Sequence, residues 1–349
     1  MTGKIDRNIT ALDVARAAEV SQSTVSRVLN NKAEGFISEA TRARVLKTAR
    51  ELGYMPNPLA QALRKGKTNL IGIVLRDIND PLFALLVSEI SIQMRGFGYH
   101  LILINAQSDP QEALEMKSIL DTRHTDGLII MGDLPNGQEA LQQVVNANRA
   151  VVSLYRKPFA GIGTVVTVDS YAGIEQGLQH LFDLGHERIG FLGYDWLDDV
   201  QYRQDAFIDI LNSRGMLLDP GWIQIGKGGI EGGYSTMKNM LSLPTRPSAV
   251  VACDDTMAIG AVRAATEAGL AIPRDISIVG FDDIPLSQYI SPPLTTIRMP
   301  VKTIAAKVCT LLTGFIKDDK KPPTMVHKIK PEIVVRGSTA PTHQKERLS

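Results

Sequence analysis

The sequence predicts two different folds in one chain: an all-α helix-turn-helix head and an α/β body of two doubly wound parallel-sheet lobes. The first observation is a set of short, capped helical segments before residue 56, followed by a Pro-rich basic stretch. The second is a body, from residue 69 onward, in which apolar strand-like runs alternate with helical stretches, as in parallel sheets. The third is the length of 349 residues, which suits a small module joined to a large two-lobed one.

The head contains three predicted helices, which Thr10, Ser21 and Ser38 are placed to cap. The residues expected to form their shared core are Leu12, Ala15, Ala18, Val25, Val28, Leu29, Val45, Leu46, Ala49 and Leu52. The second helix is expected to turn a polar face outward, formed by Gln22, Ser23, Ser26 and Arg27. Such a face is typical of a helix-turn-helix, because Gln and Arg can each form two hydrogen bonds to a base edge. A three-helix bundle with a solvated face is the alternative at this point.

The charge of the chain is divided unevenly between head and body. Residues 1–68 contain 12 Lys and Arg against 6 Asp and Glu, whereas the remaining residues contain 26 against 31. A basic module on an acidic body favours a polyanionic partner at one end only. A solvated basic face without a partner explains the same charges, so composition does not separate the two interpretations.

Several classes of protein and site are not expected from the sequence. Cys253 and Cys309 are far apart in apolar stretches, so neither a disulfide framework nor a zinc site is predicted. We expect no metal or other cofactor, and a reducing, cytoplasmic location. The amino terminus lacks the apolar core of a secretory signal, and apolar runs such as Leu70–Leu75 are too short to span a membrane.

A basic connector punctuated by proline, residues 57–68, follows the head. Asn57 and Pro58 can begin a helix of about two turns, which is too short to be stable without a partner or DNA. Leu63 in this segment is either a contact residue or an apolar linker residue that packs on its own module.

Five runs of the head and connector share the motifs of one family: Asp13-Val-Ala15, Val20-Ser21, Thr24-Val-Ser-Arg-Val-Leu-Asn30, Leu52-Gly-Tyr54-x-Pro56-Asn57 and Ala60-x-x-Leu63. Together they resemble the lactose repressor (LacI/GalR) family of bacterial transcription regulators. The resemblance implies that Gln22, Ser23 and Arg27 read bases in the major groove. It implies further DNA contacts, partly to the backbone, by Thr10, Ser21, Thr24, Asn30 and Tyr54.

The resemblance also implies a hinge helix in the minor groove, within residues 57–64. Asn57, Ala60 and Leu63 would contact DNA there, and Leu63 would wedge a base step open. Two departures from the family pattern bear on the head. Glu19 stands at a turn position where Gly is usual, so we expect a non-glycine residue at positive φ. The loop 31–37 is longer than usual, which leaves the operator sequence open.

Polar side chains follow several predicted strands of the body, at the edge where ligands bind in doubly wound sheets. Carboxylates accept hydrogen bonds from hydroxyls and Arg donates them, so the set predicts a site for a polyhydroxylated ligand. Each Asp also precedes a helix, and for any single one capping is the alternative.

The resemblance continues through the body, for example in Cys253-Asp-Asp-Thr-Met-Ala-Ile-Gly260 and Val279-Gly-Phe-Asp282. It implies lobes that resemble periplasmic sugar-binding proteins, with a small effector, a sugar or sugar derivative, between them. By position it assigns effector binding to Arg203, Asp282, Asp254, Asp80, Phe83, Asp133, Trp196 and Met299. Asp254, Ser170 and Tyr155 depart from the usual family residues, which leaves the effector's identity open.

The expected domains are a head over 1–56, a hinge over 57–68, an effector-binding and dimerisation domain over 69–337, and a tail over 338–349. Lobe one takes 69–168 and 298–327, and lobe two takes 169–297 and 328–336. The tail has no apolar heptad, so the resemblance implies a homodimer rather than a tetramer joined by a coiled coil.

The sequence therefore predicts a DNA-binding transcription regulator, a repressor of a sugar or related carbon-source operon, on pseudo-palindromic operator DNA. A solute-binding protein without a DNA role is the alternative from another class, which the body permits and the basic head argues against. An enzyme is not expected, because no P-loop, Gly-x-Ser-x-Gly or complete Gly-x-Gly-x-x-Gly motif is present.

Overall fold

The computed structural model describes residues 9–29, 37–54, 67–106, 125–132, 150–154, 163–318 and 322–342. Internal contacts divide the chain into two units, Met1–Asn69 and Leu70–Ser349. The first unit contains the predicted all-α head, and the second contains the predicted two-lobed α/β body.

Each described helix of the head begins at a side-chain cap. The described helices are α1 (Ala11–Ala17), α2 (Gln22–Leu29) and α3 (Glu39–Glu51). Thr10 and Asp13 form a reciprocal capping box at α1, and Ser38 accepts the Thr41 backbone N–H at α3. The Ser21 hydroxyl accepts the Thr24 backbone N–H at 3.1 Å. Caps therefore place the ends of these short helices, as the sequence predicts.

The buried faces of the three helices form one core, made of Val14, Ala15, Ala18, Val25, Val28, Val45 and Ala49. The prediction for α1 was wrong at one position, because Leu12 is 45% exposed and Val14 is fully buried instead. Val14, Ala15 and Ala18 lie on one side of a helix with 3.6 residues per turn, and Leu12 lies opposite Val14. Leu29, Leu46 and Leu52 are partly buried at the margin of this core.

The described elements of lobe one are β1 (Leu70–Leu75), α4 (Pro81–Gly96), β2 (His100–Asn105), β3 (Gly127–Met131), β4 (Val151–Leu154), β5 (Thr164–Val168), α9 (Val301–Asp318) and β11 (Met325–Ile329). These six strands form a parallel sheet in the order β11-β5-β4-β3-β1-β2. β1 and β3 are buried almost throughout, because helices cover parallel sheets on both faces.

Lobe two has a second six-stranded sheet in the order β12-β10-β9-β8-β6-β7, in which only the β10–β12 pair is antiparallel. Its elements are α5 (Ser170–Asp183), β6 (Ile189–Gly193), α6 (Asp198–Ser213), β7 (Ile223–Ile225), α7 (Gly229–Leu241), β8 (Ala249–Ala252), α8 (Asp255–Glu267), β9 (Ser277–Asp282), β10 (Thr295–Arg298) and β12 (Glu332–Val334), with 3-10 turns at Pro220–Trp222 and Pro285–Gln288.

The chain passes between the lobes three times, after β5, after β10 and after β11. Two predicted boundaries are displaced. Arg298 still pairs with Asp282 in the sheet of lobe two, and β11 continues to Ile329 in lobe one, beyond the predicted boundary at 327. Strand pairing determines both boundaries, because a residue that still forms backbone hydrogen bonds to a neighbouring strand belongs to the sheet of that strand.

The predicted tail, 338–349, does not begin as a free segment. Ser338 is fully buried; its hydroxyl donates to the Ile278 carbonyl at 2.6 Å and accepts the Thr295 N–H at 2.8 Å. The Thr342 N–H donates to the carbonyl of Leu184 at 3.0 Å. Residues 338–342 are thus part of lobe two, because they satisfy buried polar groups that hydrophobic periodicity does not reveal.

Candidate functional site

Helix α2 presents a polar face on the surface of the head. Gln22, Ser23 and Arg27 are exposed, whereas Val25 and Val28 on the other side of the helix are buried in the core. Three hydrogen-bonding side chains of different reach therefore project from one side of a helix that its core and its cap hold in place. Such a face has the chemistry needed to contact base edges.

The other predicted DNA-contacting residues of the head have visible structural partners. The Ser21 hydroxyl lies 2.7 Å from the Ser23 hydroxyl and 2.8 Å from the Thr24 hydroxyl at the start of α2. Thr10 is engaged in its capping box, and Tyr54 packs partly buried against the core of the head. The remaining predicted residues lie outside the described part of the chain: Asn30, Asn57, Ala60 and Leu63.

A cavity of about 330 Å³ lies between the two lobes of the body. Its walls come from the segments that follow β1, β6, β7 and β8, and from the end of β9 with the residues after it. In both sheets the strand order reverses near these strands, since β1 lies between β2 and β3, and β6 lies between β7 and β8. Crevices form outside the carboxyl ends of parallel strands at such reversals, which explains why one cleft gathers residues far apart in sequence.

On the wall of lobe two, the Arg203 guanidinium is held from several sides. It donates to the carbonyl oxygen of Cys253 at 2.5 Å and lies 3.8 Å from the centre of the Phe281 ring. One of its nitrogens lies 3.6 Å from a carboxylate oxygen of Asp282, which is an ion pair but too long for a hydrogen bond. Arg203 is 8% exposed, so its orientation toward the cleft is fixed by packing.

Asp282 occupies an unusual backbone conformation at the end of β9, with φ of 109°, and Asp283 follows with φ of 55°. Non-glycine residues rarely adopt these angles, and pairs of them concentrate at functional sites. Burial raises the pKa of Asp282 well above its usual range, and the charge of Arg203 opposes this rise. The Asp282 carbonyl accepts the Met299 N–H at 3.2 Å, which links it to the second crossing between the lobes.

Asp254 both caps α8 and faces the cleft. One carboxylate oxygen accepts the Met257 N–H at 2.8 Å, and the other accepts the Tyr194 hydroxyl at 3.2 Å. The Tyr194 ring stacks on Trp196 with the two ring centres 4.9 Å apart. Trp196 is 53% exposed, so one face of its indole is available to a ligand in the cleft.

On the wall of lobe one, Asp80 caps α4 by accepting the Leu82 N–H at 3.0 Å. It also forms an ion pair with Arg76 at 2.7 Å, and the Arg76 guanidinium lies 4.9 Å from the centre of the Phe83 ring. Burial raises the pKa of Asp80, while the positive charge of Arg76 opposes that rise.

The structure brings most of the predicted effector-binding residues together. The cavity between the lobes is lined by Asp80, Phe83, Trp196, Arg203, Asp254 and Asp282. Met299 lines an adjoining space of about 80 Å³ that shares Phe83 and Arg203 with this cavity. Asp133 lies outside the described residues. Sequence reasoning did not assign Arg76, Tyr194 or Asp199, although each follows a strand at the same edge of its sheet and lines the cavity.

Among the residues that the structure describes, no group of three or more His, Cys, Asp and Glu side chains is arranged to hold a metal ion. No described helix is long and apolar enough to cross a membrane.

Comparisons with known proteins agree with this division into two units. Residues 10–57 match the model of the family described as bacterial regulatory proteins, lacI family, and residues 178–339 match the periplasmic binding protein-like domain. The chain is 31% identical over 331 residues to the HTH-type transcriptional repressor CytR of Escherichia coli strain K12, covering 95% of this chain and 96% of that protein.

Solved structures show the same architecture. The lac repressor dimer bound to operator and the anti-inducer ONPF superimposes with a TM-score of 0.82 at 27% identity, covering 96% of this chain and 100% of that one. A LacI family transcriptional regulator from Enterococcus faecium with bound ribose gives a TM-score of 0.70 at 27% identity, covering 78% and 99%. The likeness thus extends over head and body together.

Proposed function

The chain belongs to the lacI family of bacterial regulatory proteins and is therefore a DNA-binding transcription regulator. We propose that its head binds operator DNA and that its body binds a small effector. Two chains bind one pseudo-palindromic operator as a homodimer and repress a sugar or related carbon-source operon. The exposed Gln22, Ser23 and Arg27 face on a rigid, capped α2 is the observation that carries this proposal.

In this proposal, Gln22, Ser23 and Arg27 read base edges in the major groove, since Gln and Arg discriminate between bases through paired hydrogen bonds. The backbone phosphates are contacted by hydroxyl and amide groups at the helix ends and margins, from Thr10, Ser21, Thr24, Asn30 and Tyr54. Asn57, Ala60 and Leu63 contact the minor groove from the hinge segment, where Leu63 opens a base step.

The cleft holds the effector, a small polyhydroxylated molecule. Arg203 and Asp282 supply a donor and an acceptor for its hydroxyls, and Asp254 and Asp80 supply further acceptors. Trp196, Phe83 and Met299 pack against its C–H surface, with Asp133 as a further predicted contact. The ribose bound to the Enterococcus faecium relative supports a sugar or sugar derivative.

Effector binding changes DNA affinity by favouring one of two arrangements of the lobes. A ligand shifts such an equilibrium only by its difference in affinity for the two states, typically about 1–3 kcal/mol. We place this activity in the bacterial cytoplasm, where DNA is and where the buried thiols of Cys253 and Cys309 stay reduced.

We propose a binding role and no catalysis for the cleft. The relatives are named as transcription regulators, and the carboxyl groups of Asp80 and Asp254 in the cleft cap helices. The alternative raised by the sequence, a solute-binding protein without a DNA role, predicts no sequence-specific binding to any duplex, and membership of the lacI family argues against it.

The test is operator selection from a random duplex library with the full-length chain, followed by affinity measurements on the selected sequence. Replacing Gln22 by Ala is expected to cost about 1–3 kcal/mol on that sequence and to relax selection at one base position. The control is Lys47→Ala on α3, which is exposed and contacts Glu51, and it is expected to leave the affinity unchanged. A Gln22→Ala variant with wild-type affinity and selectivity would contradict the proposal.

A further inference from the structure

Arg76 is a cleft residue that belongs to lobe one but reaches the wall of lobe two. It follows β1 directly, and its side chain is 12% exposed. Asp80 fixes one end of the guanidinium at 2.7 Å, and the Phe83 ring lies beneath it. The guanidinium also lies 5.8 Å from the centre of the Trp196 ring, which is within the range of a cation–π contact from the opposite lobe.

Three buried polar atoms in this cleft have no hydrogen-bond partner among the described residues: Nε of Arg76, Nε of Arg203 and Oδ1 of Asp282. A buried polar atom without a partner is unfavourable, so a ligand that supplies the missing partners gains affinity. The two N–H donors stand on opposite lobes, and the acceptor stands beside one of them. A ligand that satisfies all three must accept two hydrogen bonds and donate one, which neighbouring hydroxyl groups can do.

The charges around the cavity restrict the ligand further. Among the described residues, the lining contains two guanidinium groups, Arg76 and Arg203, and five carboxyl groups: Asp77, Asp80, Asp199, Asp254 and Asp282. Both guanidiniums are already paired with carboxylates of their own lobe. A carboxylate or phosphate on the ligand would meet this excess of carboxyl groups over guanidinium groups, and the juxtaposition of like charges selects against such a ligand.

We propose that Arg76 is a specificity-determining residue of the effector site, and that the site selects uncharged polyhydroxylated ligands against sugar acids and sugar phosphates. The Arg76 Nε–H donates to a ligand oxygen from lobe one while Arg203 donates from lobe two, so the ligand joins the two walls. This inference rests on the proposed function, because it requires that the cleft binds the effector.

The first arm of the test measures selectivity with the full-length wild-type chain. The probes are D-ribose, D-galactose and D-glucose, each beside its terminal phosphate ester, with the uronic acids of the two hexoses. Trp196 reports binding, since it is one of two tryptophans and lies in the cleft, whereas Trp222 is buried elsewhere in lobe two. At least one neutral sugar is expected to bind, with a Kd at least about tenfold below that of its charged counterparts.

The second arm uses the sugar that binds and compares Arg76→Lys with Arg263→Lys. Lysine at position 76 keeps the charge beside Asp80 but removes the fixed Nε–H, so Kd is expected to rise about tenfold. Arg263 lies on the exposed side of α8, paired with Glu267, and its substitution is expected to leave Kd unchanged. Thermal unfolding of both variants checks that they are folded.

The outcomes separate the inference from the function on which it rests. A charged counterpart that binds as tightly as its neutral sugar overturns the selectivity, and an Arg76→Lys variant with unchanged Kd overturns the role of Arg76. Binding by none of the probes contradicts the proposed effector class itself. The selectivity for neutral ligands and the role of Arg76 are then rejected as well.

Discussion

At the scale of single residues, Asp255 is a fully buried carboxyl group directly after the cleft residue Asp254. It accepts hydrogen bonds from the Ser287 hydroxyl, the Thr296 hydroxyl and the Ile284 backbone N–H, at 2.5, 2.5 and 2.9 Å. Burial raises its pKa from 3.8 to about 7, and the three hydrogen bonds oppose the rise. Asp255 thus joins the start of α8 to the segment after β9 and to β10.

Because this pKa is raised in the folded protein, Asp255 contributes stability that is complete below its unfolded pKa and lost as the pH rises through about 7. Replacing Asp255 by Asn removes this dependence. The free energy of unfolding of the wild type minus that of Asp255→Asn is therefore expected to fall by about 2–3 kcal/mol between about pH 5 and about pH 8. Urea unfolding of both proteins across this range measures it. A difference that grows with pH would mean that the buried carboxyl is ionised and stabilised by its donors.

The roles of Asp80 and Asp254 could be predicted from the sequence only in part. From the sequence, helix capping and ligand binding were alternatives for each Asp. In the structure both residues cap a helix with one oxygen and face the cleft with the carboxyl group. A helix that starts at the carboxyl end of a strand puts its cap at the cleft edge, so one position serves both purposes.

Arg76 was not assigned to the effector site from the sequence, because the direction of a long side chain depends on tertiary contacts.

At the scale of elements, the turn between α1 and α2 contains a residue in a strained conformation. Glu19 has φ of 52°, a left-handed conformation that costs a side-chain-bearing residue about 1 kcal/mol relative to Gly. Glu19→Gly is expected to stabilise the head by about 0.5–1 kcal/mol. The matched control, Glu51→Gly, falls in the last turn of α3 and is expected to destabilise it by a similar amount. Hydrogen exchange of the amides of α1–α3 in the full chain measures both, and increased exchange in Glu19→Gly would refute the strain.

The elements that could be predicted are those with a strong local signal. The caps at Thr10 and Ser38 allow the starts of α1 and α3 to be predicted from the sequence. The apolar runs of β1 and β3 do the same for these two strands. The short strand β7 has only three residues at a sheet edge, and pairing with β6 forms it rather than any local pattern. The segment 338–342 is held by buried hydrogen bonds to residues distant in sequence. Hydrophobic periodicity does not detect such bonds, so the segment was predicted to be part of a tail.

At the scale of the body as a whole, the three crossings between lobes lie together and are joined by polar contacts. The Asp169 N–H donates to the Ile329 carbonyl at 2.9 Å, which links the first crossing to the third. Arg298, at the second crossing, pairs with Asp283 at 2.6 Å and with Glu332 at 3.1 Å. Closely spaced crossings with terminal residues that absorb backbone changes are typical of a hinge.

This hinge adjoins the proposed effector site through one pair of residues, Asp282 and Asp283. Asp282 faces Arg203 in the cleft, and Asp283, next to it, holds Arg298 at the second crossing. A ligand that binds Asp282 therefore acts on the residue beside the hinge. Two lobes and three crossings between them could be predicted from the sequence, but the ion pairs at the hinge depend on strand register and could not.

The most direct measurement of the central claim is the affinity of the full-length chain for its selected operator with and without a ligand that occupies the cleft. Fluorescence anisotropy of the labelled duplex gives Kd, and Trp196 fluorescence in the same titration shows that the cleft is filled. Coupling of about 1–3 kcal/mol predicts that a saturating ligand changes the operator Kd by about 5–150-fold. A ligand that fills the cleft and leaves the operator Kd unchanged would contradict the account, because the two units would then bind their partners independently.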